Sequence, residues 1–430
     1  MSQALFIGID LGTSGCRAIA IDNAGQPLAL AATSMPGPTR DDVRAEQDAN
    51  IWWQTVSATL RDLLSQIQVD SVKSIAVDGT SGTLLLTDQL GQPLGPALMY
   101  NDGRSQAEAA HIGAIAPRES AAHGATSALA KLLHLQPGPE AHHAMHQADW
   151  IIGKLSGQWG ISDANNCLKL GFDAMNKCWP QWLEQLGVNQ TILPKVFQPG
   201  TAVTTISPQV AAQFGLPLTT QITAGTTDST AAFIATSAMQ VGEAVTSLGS
   251  TLVMKVISDR PIFSPGHGVY SQPLGDLWLV GGGSNSGGAV LLHYFSPQQL
   301  AEMTPQLKPG QPTGLDYYPL INPGERFPGV DSHKQPCLTP RPDDDVAFFQ
   351  AMLEGMAHIE QQGYQLLTEL GAPYPLNVRS TGGGSLNPAW AEIRQAMLGV
   401  PMLEAQQQEA AYGSAVLARR GYLYTQGLQP

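Results

Sequence analysis

Cysteine is scarce in this chain and scattered where it occurs. Among 430 residues there are four, Cys16, Cys167, Cys178 and Cys337, with no Cys-x-x-Cys pair. Neither a zinc centre nor a disulfide framework is expected, and free thiols fit a reducing compartment. Positive charge is also in short supply. With 22 Lys and Arg against 35 Asp and Glu, the formal net charge is −13, which lacks the footprint of a nucleic-acid or anionic-membrane binder. Any phosphate the protein holds must be gripped locally. No apolar run approaches the roughly 20 residues that span a bilayer. The N-terminal segment enters a strand-like run at Leu5 without the basic and apolar regions of a secretory leader, so a cytoplasmic protein is expected.

What is present points to two domains. The length exceeds that at which one core keeps growing, and a ligand cleft is expected between the halves. The organising stretch is Leu5–Asp22, which reads as two strands joined by a polar hairpin: an apolar run to Asp10, then Leu11-Gly12-Thr13-Ser14-Gly15, then alternation from Arg17 to Ile21. Glycine lets backbone approach a ligand, the hydroxyls of Thr13 and Ser14 add donors, and hairpin amides can converge on an anion. Asp10 beside such a loop suits a bridging Mg²⁺, an ion usually held by one or two carboxylates plus phosphate oxygens. A tight turn is the plain alternative.

Further along, Pro27–Ala32 reads as a third antiparallel strand, and Asp48 or Asn50 as the cap of a helix with Ile51, Trp52, Val56, Leu60 and Leu63 at helical spacing. Ser74–Asp78 is a buried-type strand running into Gly79-Thr80-Ser81-Gly82-Thr83, where small hydroxyl residues follow a strand end. Asn101-Asp102-Gly103-Arg104 offers an amide, a carboxylate and a guanidinium, suited to hydroxyl-rich ligands and equally to a surface turn. From about 118 to 198 the chain reads as largely helical. His142 and His146 would then share a helical face, but no third metal ligand lies nearby.

A second beginning appears at residue 221. Gln221–Ala224 is strand-like and ends in Gly225-Thr226-Thr227-Asp228, with Asp228 at a helix N-terminus, where a carboxylate stays ionised and available to accept a proton. Glu243–Val256 repeats the opening pattern, with Leu248-Gly249-Ser250-Thr251 matching Leu11-Gly12-Thr13-Ser14. A duplicated unit implies related halves, placed at 1–220 and 221–430. Leu277–Val280 runs into Gly281-Gly282-Gly283-Ser284-Asn285-Ser286-Gly287-Gly288, another glycine-rich strand-to-helix junction. In Gly382-Gly383-Gly384-Ser385-Leu386-Asn387-Pro388, Asn387 caps a helix with Pro388 at its first position, and the glycines leave room for a flat ring such as adenine.

This set of motifs, in this order, resembles the FGGY carbohydrate kinases of the actin and Hsp70 superfamily. The resemblance implies an α/β fold of two duplicated ribonuclease H-like domains and ATP-dependent phosphorylation of a sugar hydroxyl. It gives Asp228 as general base and, with Asp10, as metal-associated carboxylate. It gives Gly12, Thr13, Ser14 and Arg17 as the first phosphate motif, Gly249, Ser250 and Thr251 as the second, and Gly283, Gly383, Gly384 and Asn387 as further nucleotide contacts. Thr80, Ser81, Asn101, Asp102, Arg104 and Asp228 fall on the sugar segments, and Gly324-Glu325-Arg326 matches a family loop. The Thr80-Ser81 pair, where xylulose kinases usually carry Met-His, looks more like the compact D-ribulose kinases; Ala128 and His134 around Lys131 also depart from the family signature. D-Xylulose or another polyol remains an alternative substrate, as does an actin-like ATPase with no sugar. ATP, Mg²⁺ and a small sugar are the expected ligands, on a monomer or homodimer.

Overall fold

The computed structural model describes residues 4–135 and 138–429. Contacts divide it into two compact units. One runs to Ala235 and resumes at Glu409, and the other is Thr236–Gln408.

The first unit is built on β1 (Leu5–Leu11), β2 (Gly15–Ile21), β3 (Pro27–Ser34), α1 (Ala49–Ser65), β4 (Val72–Gly79), α2 (Gln147–Ser156), β5 (Ala202–Thr205), β6 (Gln221–Thr227) and α3 (Asp228–Ala235). Its main sheet has the order β5-β6-β4-β1-β2-β3. The β1-β2-β3 meander is antiparallel, as its alternation predicts, while β4 and β6 add in parallel. The interior strands β1 and β4 are buried almost throughout, which is why they read as continuous apolar runs. The α1 helix starts where Asp48 accepts the Asn50 N–H, and Trp52, Val56, Leu60 and Leu63 are fully buried against the sheet.

The second unit repeats this plan with β7 (Glu243–Leu248), β8 (Leu252–Ser258), β9 (Tyr270–Leu274), β10 (Leu277–Ser284), α4 (Gly288–Tyr294), α5 (Asp345–Glu369), β11 (Asn377–Thr381), α6 (Pro388–Leu398) and β12 (Met402–Glu404). The sheet order is β9-β10-β8-β7-β11-β12. Again an antiparallel hairpin is flanked by a parallel strand, β11, on its first member, so the duplication read from the motifs is a duplication of fold. A buried bidentate ion pair, Arg394 to Glu360 at 2.6 and 2.7 Å, ties α6 to α5. Thr246 of β7 donates to Glu360 at 2.5 Å, and Arg394 reaches Ser380 of β11.

The chain then returns to the first unit as α7 (Ala410–Thr425). Gly8 permits this: a Cβ there would collide with the Ala411 carbonyl and the Ala415 amide, so α7 lies directly on β1.

Three expectations need correction. Gln221–Thr227, placed at the opening of the second half, is hydrogen-bonded into the first sheet beside β4, and α7 likewise lies with the first unit rather than the second. The 118–198 region is not simply helical: His143–His146 is a strand paired with Leu84–Thr87, so His142 and His146 share no helical face. The strand before the glycine-rich junction runs on through glycines 281–283 to Ser284, so that within the expected stretch 281–288 the turn into α4 is confined to Asn285–Gly287.

Candidate active site

In the first unit, three aspartates gather at one end of the parallel strands. Asp10 and Asp78 are register partners on β1 and β4, and Asp78 is also opposite Thr226 of β6. Asp228 follows as the first residue of α3, where its Oδ1 accepts the Ser229 N–H at 2.7 Å. Asp78 is fully buried; its Oδ2 accepts the Ser414 hydroxyl from α7 at 2.5 Å. Its Oδ1 has no conventional donor among the described residues. The remaining interaction of this carboxyl is with that of Asp10, and two carboxyls hydrogen-bond only by sharing a proton. Burial raises Asp10 to about 6; its hydrogen bond with Asp78 opposes this, the charges of Asp228 and Glu409 add to it, and Arg17 offsets part. Burial, and next the charge of Asp10, holds Asp78 well above the usual carboxylate range.

The β1-β2 hairpin closes through Gly12 N–H to the Gly15 carbonyl at 3.0 Å. Thr13 is half-buried, Ser14 is exposed, and Arg17 projects from β2 into a loose ion pair with Glu409 at 3.4 Å, where both side chains are largely exposed. Such a pair contributes little by itself, which leaves the guanidinium available.

The 80–83 turn sits at the end of β4. Thr80 is buried and gives both its N–H and its hydroxyl to Gln147 Oε1, at 3.0 and 2.8 Å, with Thr83 Oγ1 at 2.6 Å. Its side chain is therefore spent on the turn. Lys131, fully buried, donates to the Gly82 and Thr126 carbonyls, and burial followed by the charge of Lys169 lowers it to about 7. Lys169 approaches the Ser81 carbonyl at 3.5 Å and lies within electrostatic reach of Asp228. Asp102 is buried, accepting from Ala45 N–H at 2.7 Å and from Arg104, which also pairs with Glu46 at 2.6 Å. Burial works against the charge of Asp102, but Arg104 and Ala45 outweigh it and hold the carboxyl below its ordinary value. Asn101 is exposed. Lys169 thus touches the Ser81 carbonyl and feels the charge of Asp228, whereas Thr80, Asp102 and Arg104 are mostly satisfied by protein.

In the second unit, the β7-β8 hairpin carries Gly249, Ser250 and Thr251. The amides of Gly288 and Ala289, at the start of α4, bond the Gly249 and Ser250 carbonyls at 2.8 and 3.1 Å. Beside the hairpin lies a cavity of about 880 Å³ whose walls include Leu291, Leu300, Phe349 and Trp390 and whose polar end includes Ser250, Thr304 and Asn387. Gly383 and Gly384 line it. At Gly384 a Cβ would collide with the Trp390 ring and lie 2.8 Å from Leu248 Cβ, and Gly382, at φ +82°, passes the Leu248 carbonyl. Asn387 caps α6 as expected, accepting the Trp390 N–H at 3.0 Å. A volume of this size with apolar walls and few polar groups is typical of a small-molecule site.

Gly283 is not part of that cavity. It lies in β10 beside Val253 and Arg326, in a separate cavity that also includes Thr251 and Lys255. Glu325 of the Gly-Glu-Arg loop is buried and accepts from Ser284 Oγ, the Asn285 N–H, Tyr318 Oη and the Arg326 N–H. Its role is to pin the loop onto the β10–α4 junction.

Sequence reasoning did not single out Asp78 or Gln147 as site residues. An aspartate ending an apolar strand run, as Asp10 does, was the available signal for Asp78. Among the described residues, no group of three or more His, Cys, Asp or Glu side chains is arranged to hold a metal ion, and no helix is long and apolar enough to cross a membrane.

Two family models cover nearly the whole chain: the FGGY family of carbohydrate kinases, N-terminal domain, over residues 5–235, and the C-terminal domain of the same family over 244–422. A xylulose kinase of Escherichia coli (strain K12) is 23% identical over 416 residues, covering 90% of this chain and 84% of that protein. An erythritol kinase of Brucella abortus (strain 2308) is 24% identical over 456 residues, covering 96% and 86%. A crystal structure described as a "xyloylose kinase" from Brucella ovis superposes with a TM-score of 0.88 at 23% identity, covering 99% of this chain and 93% of that one.

Proposed function

The chain belongs to the FGGY family of carbohydrate kinases, and we propose that it transfers the γ-phosphoryl group of ATP to a hydroxyl of a pentulose, with D-ribulose as its substrate. The observation that carries this reading is the grouping of Asp10, Asp228, Ser81 and Lys169 at the strand ends of the first unit. Carboxylates, a hydroxyl and an ammonium together suit a polyhydroxylated, uncharged ligand.

In this reading Asp228 accepts the proton of the attacking sugar hydroxyl. The sugar oxygen forms a bond to the γ-phosphorus, the bond to the β-phosphate oxygen breaks, and ADP leaves. Phosphoryl transfer needs mostly positioning and charge stabilisation, and the hairpin residues Gly12, Thr13, Ser14 and Arg17, with Gly249, Ser250 and Thr251, supply amides, hydroxyls and a guanidinium for phosphate oxygens. The apolar cavity of the second unit, with Gly383, Gly384 and Asn387, takes the adenosine. Asp10 and Asp228 are the groups that would hold Mg²⁺, and their mutual repulsion within a partly buried site is what a divalent cation relieves. When bound, the ion would neutralise phosphate charge.

D-Xylulose is the second reading, favoured by the activity of the E. coli relative; the Thr80-Ser81 pair favours D-ribulose. A coupled ADP-release assay over D-ribulose, D-xylulose, ribitol, erythritol and glycerol tests both. Highest kcat/KM on D-ribulose supports the proposal, a preference for D-xylulose replaces it with the second reading, and no sugar-dependent ADP release overturns both.

A further inference from the structure

The 80–83 turn is held by two ammonium groups that differ in how fully they are used. Lys131 is wholly buried and donates to the Gly82 carbonyl at 2.6 Å and the Thr126 carbonyl at 2.7 Å. With Thr80 tied to Gln147 by two hydrogen bonds, this makes the turn a fixed platform. Gly82 has φ +89°, in the left-handed region, and a Cβ on it would meet Lys169 Cδ at 3.3 Å and the Thr126 carbonyl at 3.4 Å. Glycine is therefore what lets the turn pass over the Lys169 stem.

Lys169 itself is only half-buried. Its Nζ is 3.5 Å from the Ser81 carbonyl, at the outer limit of a hydrogen bond, and it sits in the field of Asp228. An ammonium carries three N–H donors, so this single long contact leaves two of them without a partner among the described residues. A half-buried ammonium gives its unused donors to whatever occupies the site, water when it is empty and an acceptor oxygen of a ligand when one is bound.

We propose that Lys169 is a substrate-binding residue of the sugar site, giving its spare N–H donors to an acceptor oxygen of the pentulose while Lys131 fixes the turn that carries Ser81. The proposal rests on the assignment of this region as the sugar site. It adds a cation to a site otherwise built of carboxylates and hydroxyls, within the field of Asp228, so that one residue holds a sugar oxygen while the other takes a proton.

The test is the KM for the pentulose that the wild-type enzyme prefers, together with the dissociation constant for ATP, in Lys169→Met and Lys169→Arg. Loss of a charge-assisted donor is expected to raise KM about 10- to 100-fold in Lys169→Met, with ATP affinity unchanged and KM partly restored in Lys169→Arg. KM is read from the shape of the saturation curve and does not depend on the fraction of folded enzyme, so a destabilised preparation still reports it. A wild-type KM in Lys169→Met overturns the proposal and leaves the sugar-kinase reading intact. If wild-type enzyme phosphorylates no sugar, the site assignment itself falls, and the proposal with it.

Discussion

Asp10 and Asp78 are register partners on neighbouring parallel strands, and burial, with each carboxyl acting on the other, pushes both above the ordinary carboxylate range. Asp78 is further fixed by the Ser414 hydroxyl, so the inner member of the pair is held neutral and the outer member, half-buried, is the one whose charge changes in the accessible pH range.

That relationship sets an acid limit on activity. If Asp10 must be ionised to work, kcat/KM falls as pH is lowered through about 6. The profile is measured at sub-saturating sugar and constant ionic strength, where the rate reports kcat/KM, and a flat profile down to pH 5 would remove Asp10 from the set of essential ionised groups.

The same shift carries a stability sign. The Asp10 carboxyl is raised in the folded state from an ordinary 3.8 to about 6. The folded protein therefore binds this proton more tightly than the unfolded chain does, and its contribution to stability falls as pH rises from about 4 to 6. Asp10→Asn has no charge to desolvate. It is expected to melt at a higher temperature than wild type at pH 7, with the gap closing towards pH 4, while losing transfer activity. Equal melting curves at both pH values would contradict the desolvation argument.

Asp228→Asn tests the proposed base. Loss of a positioned general base costs on the order of 10²- to 10⁴-fold in rate, whereas the apolar cavity of the second unit is untouched. The expected result is lost transfer with unchanged ATP affinity in a titration without Mg²⁺; turnover within tenfold of wild type would reassign the base.

Two neighbouring glycines separate cavity filling from misfolding. Gly383 lines the apolar cavity and nothing lies within 4 Å of a Cβ placed on it. Gly383→Val should raise the KM for ATP with little change in melting temperature. Gly384→Ala drives a methyl into Trp390 and Leu248 and is expected to cost about 1–3 kcal/mol in stability as well as ATP affinity. The contrast is read from urea unfolding alongside KM for ATP.

Glu360→Gln leaves the buried Arg394 guanidinium without its counter-charge. Breaking a buried pair by removing one partner costs about 3–5 kcal/mol, a loss visible in the midpoint of denaturant unfolding. A change under 1 kcal/mol would mean that Ser380 suffices to hold Arg394.

The two hairpins, the α1 helix and the Asn387 cap were legible in the sequence because each is a local pattern: alternation, helical spacing or a capping dipeptide. What escaped the sequence was pairing between distant segments. The strand at Gln221 looks like a new beginning, and only its register with β4 assigns it to the first unit. Thr80, Asp102 and Arg104 have the right chemistry for a sugar, but whether a side chain reaches a ligand or is consumed by Gln147, Ala45 and Glu46 depends on contacts across many tens of residues. Asp78 was passed over for the same reason: its significance lies in the residue opposite it. Gly283 reads like Gly383 in sequence, but it lies within a strand and lines a different cavity.

The α7 helix has a consequence for how the protein comes to exist. Ser414 closes on Asp78 across 336 residues, and Ala411 and Ala415 lie against Gly8. During synthesis the first unit emerges from the ribosome long before this helix does, so β1 must wait, one face uncovered, while the whole of residues 236–408 is made. A fragment ending at Ala235 would expose that face and leave the inner aspartate without its hydroxyl partner. Supplying residues 409–430 as a separate peptide should then raise its solubility, as complementation rather than as the joining of two independent domains.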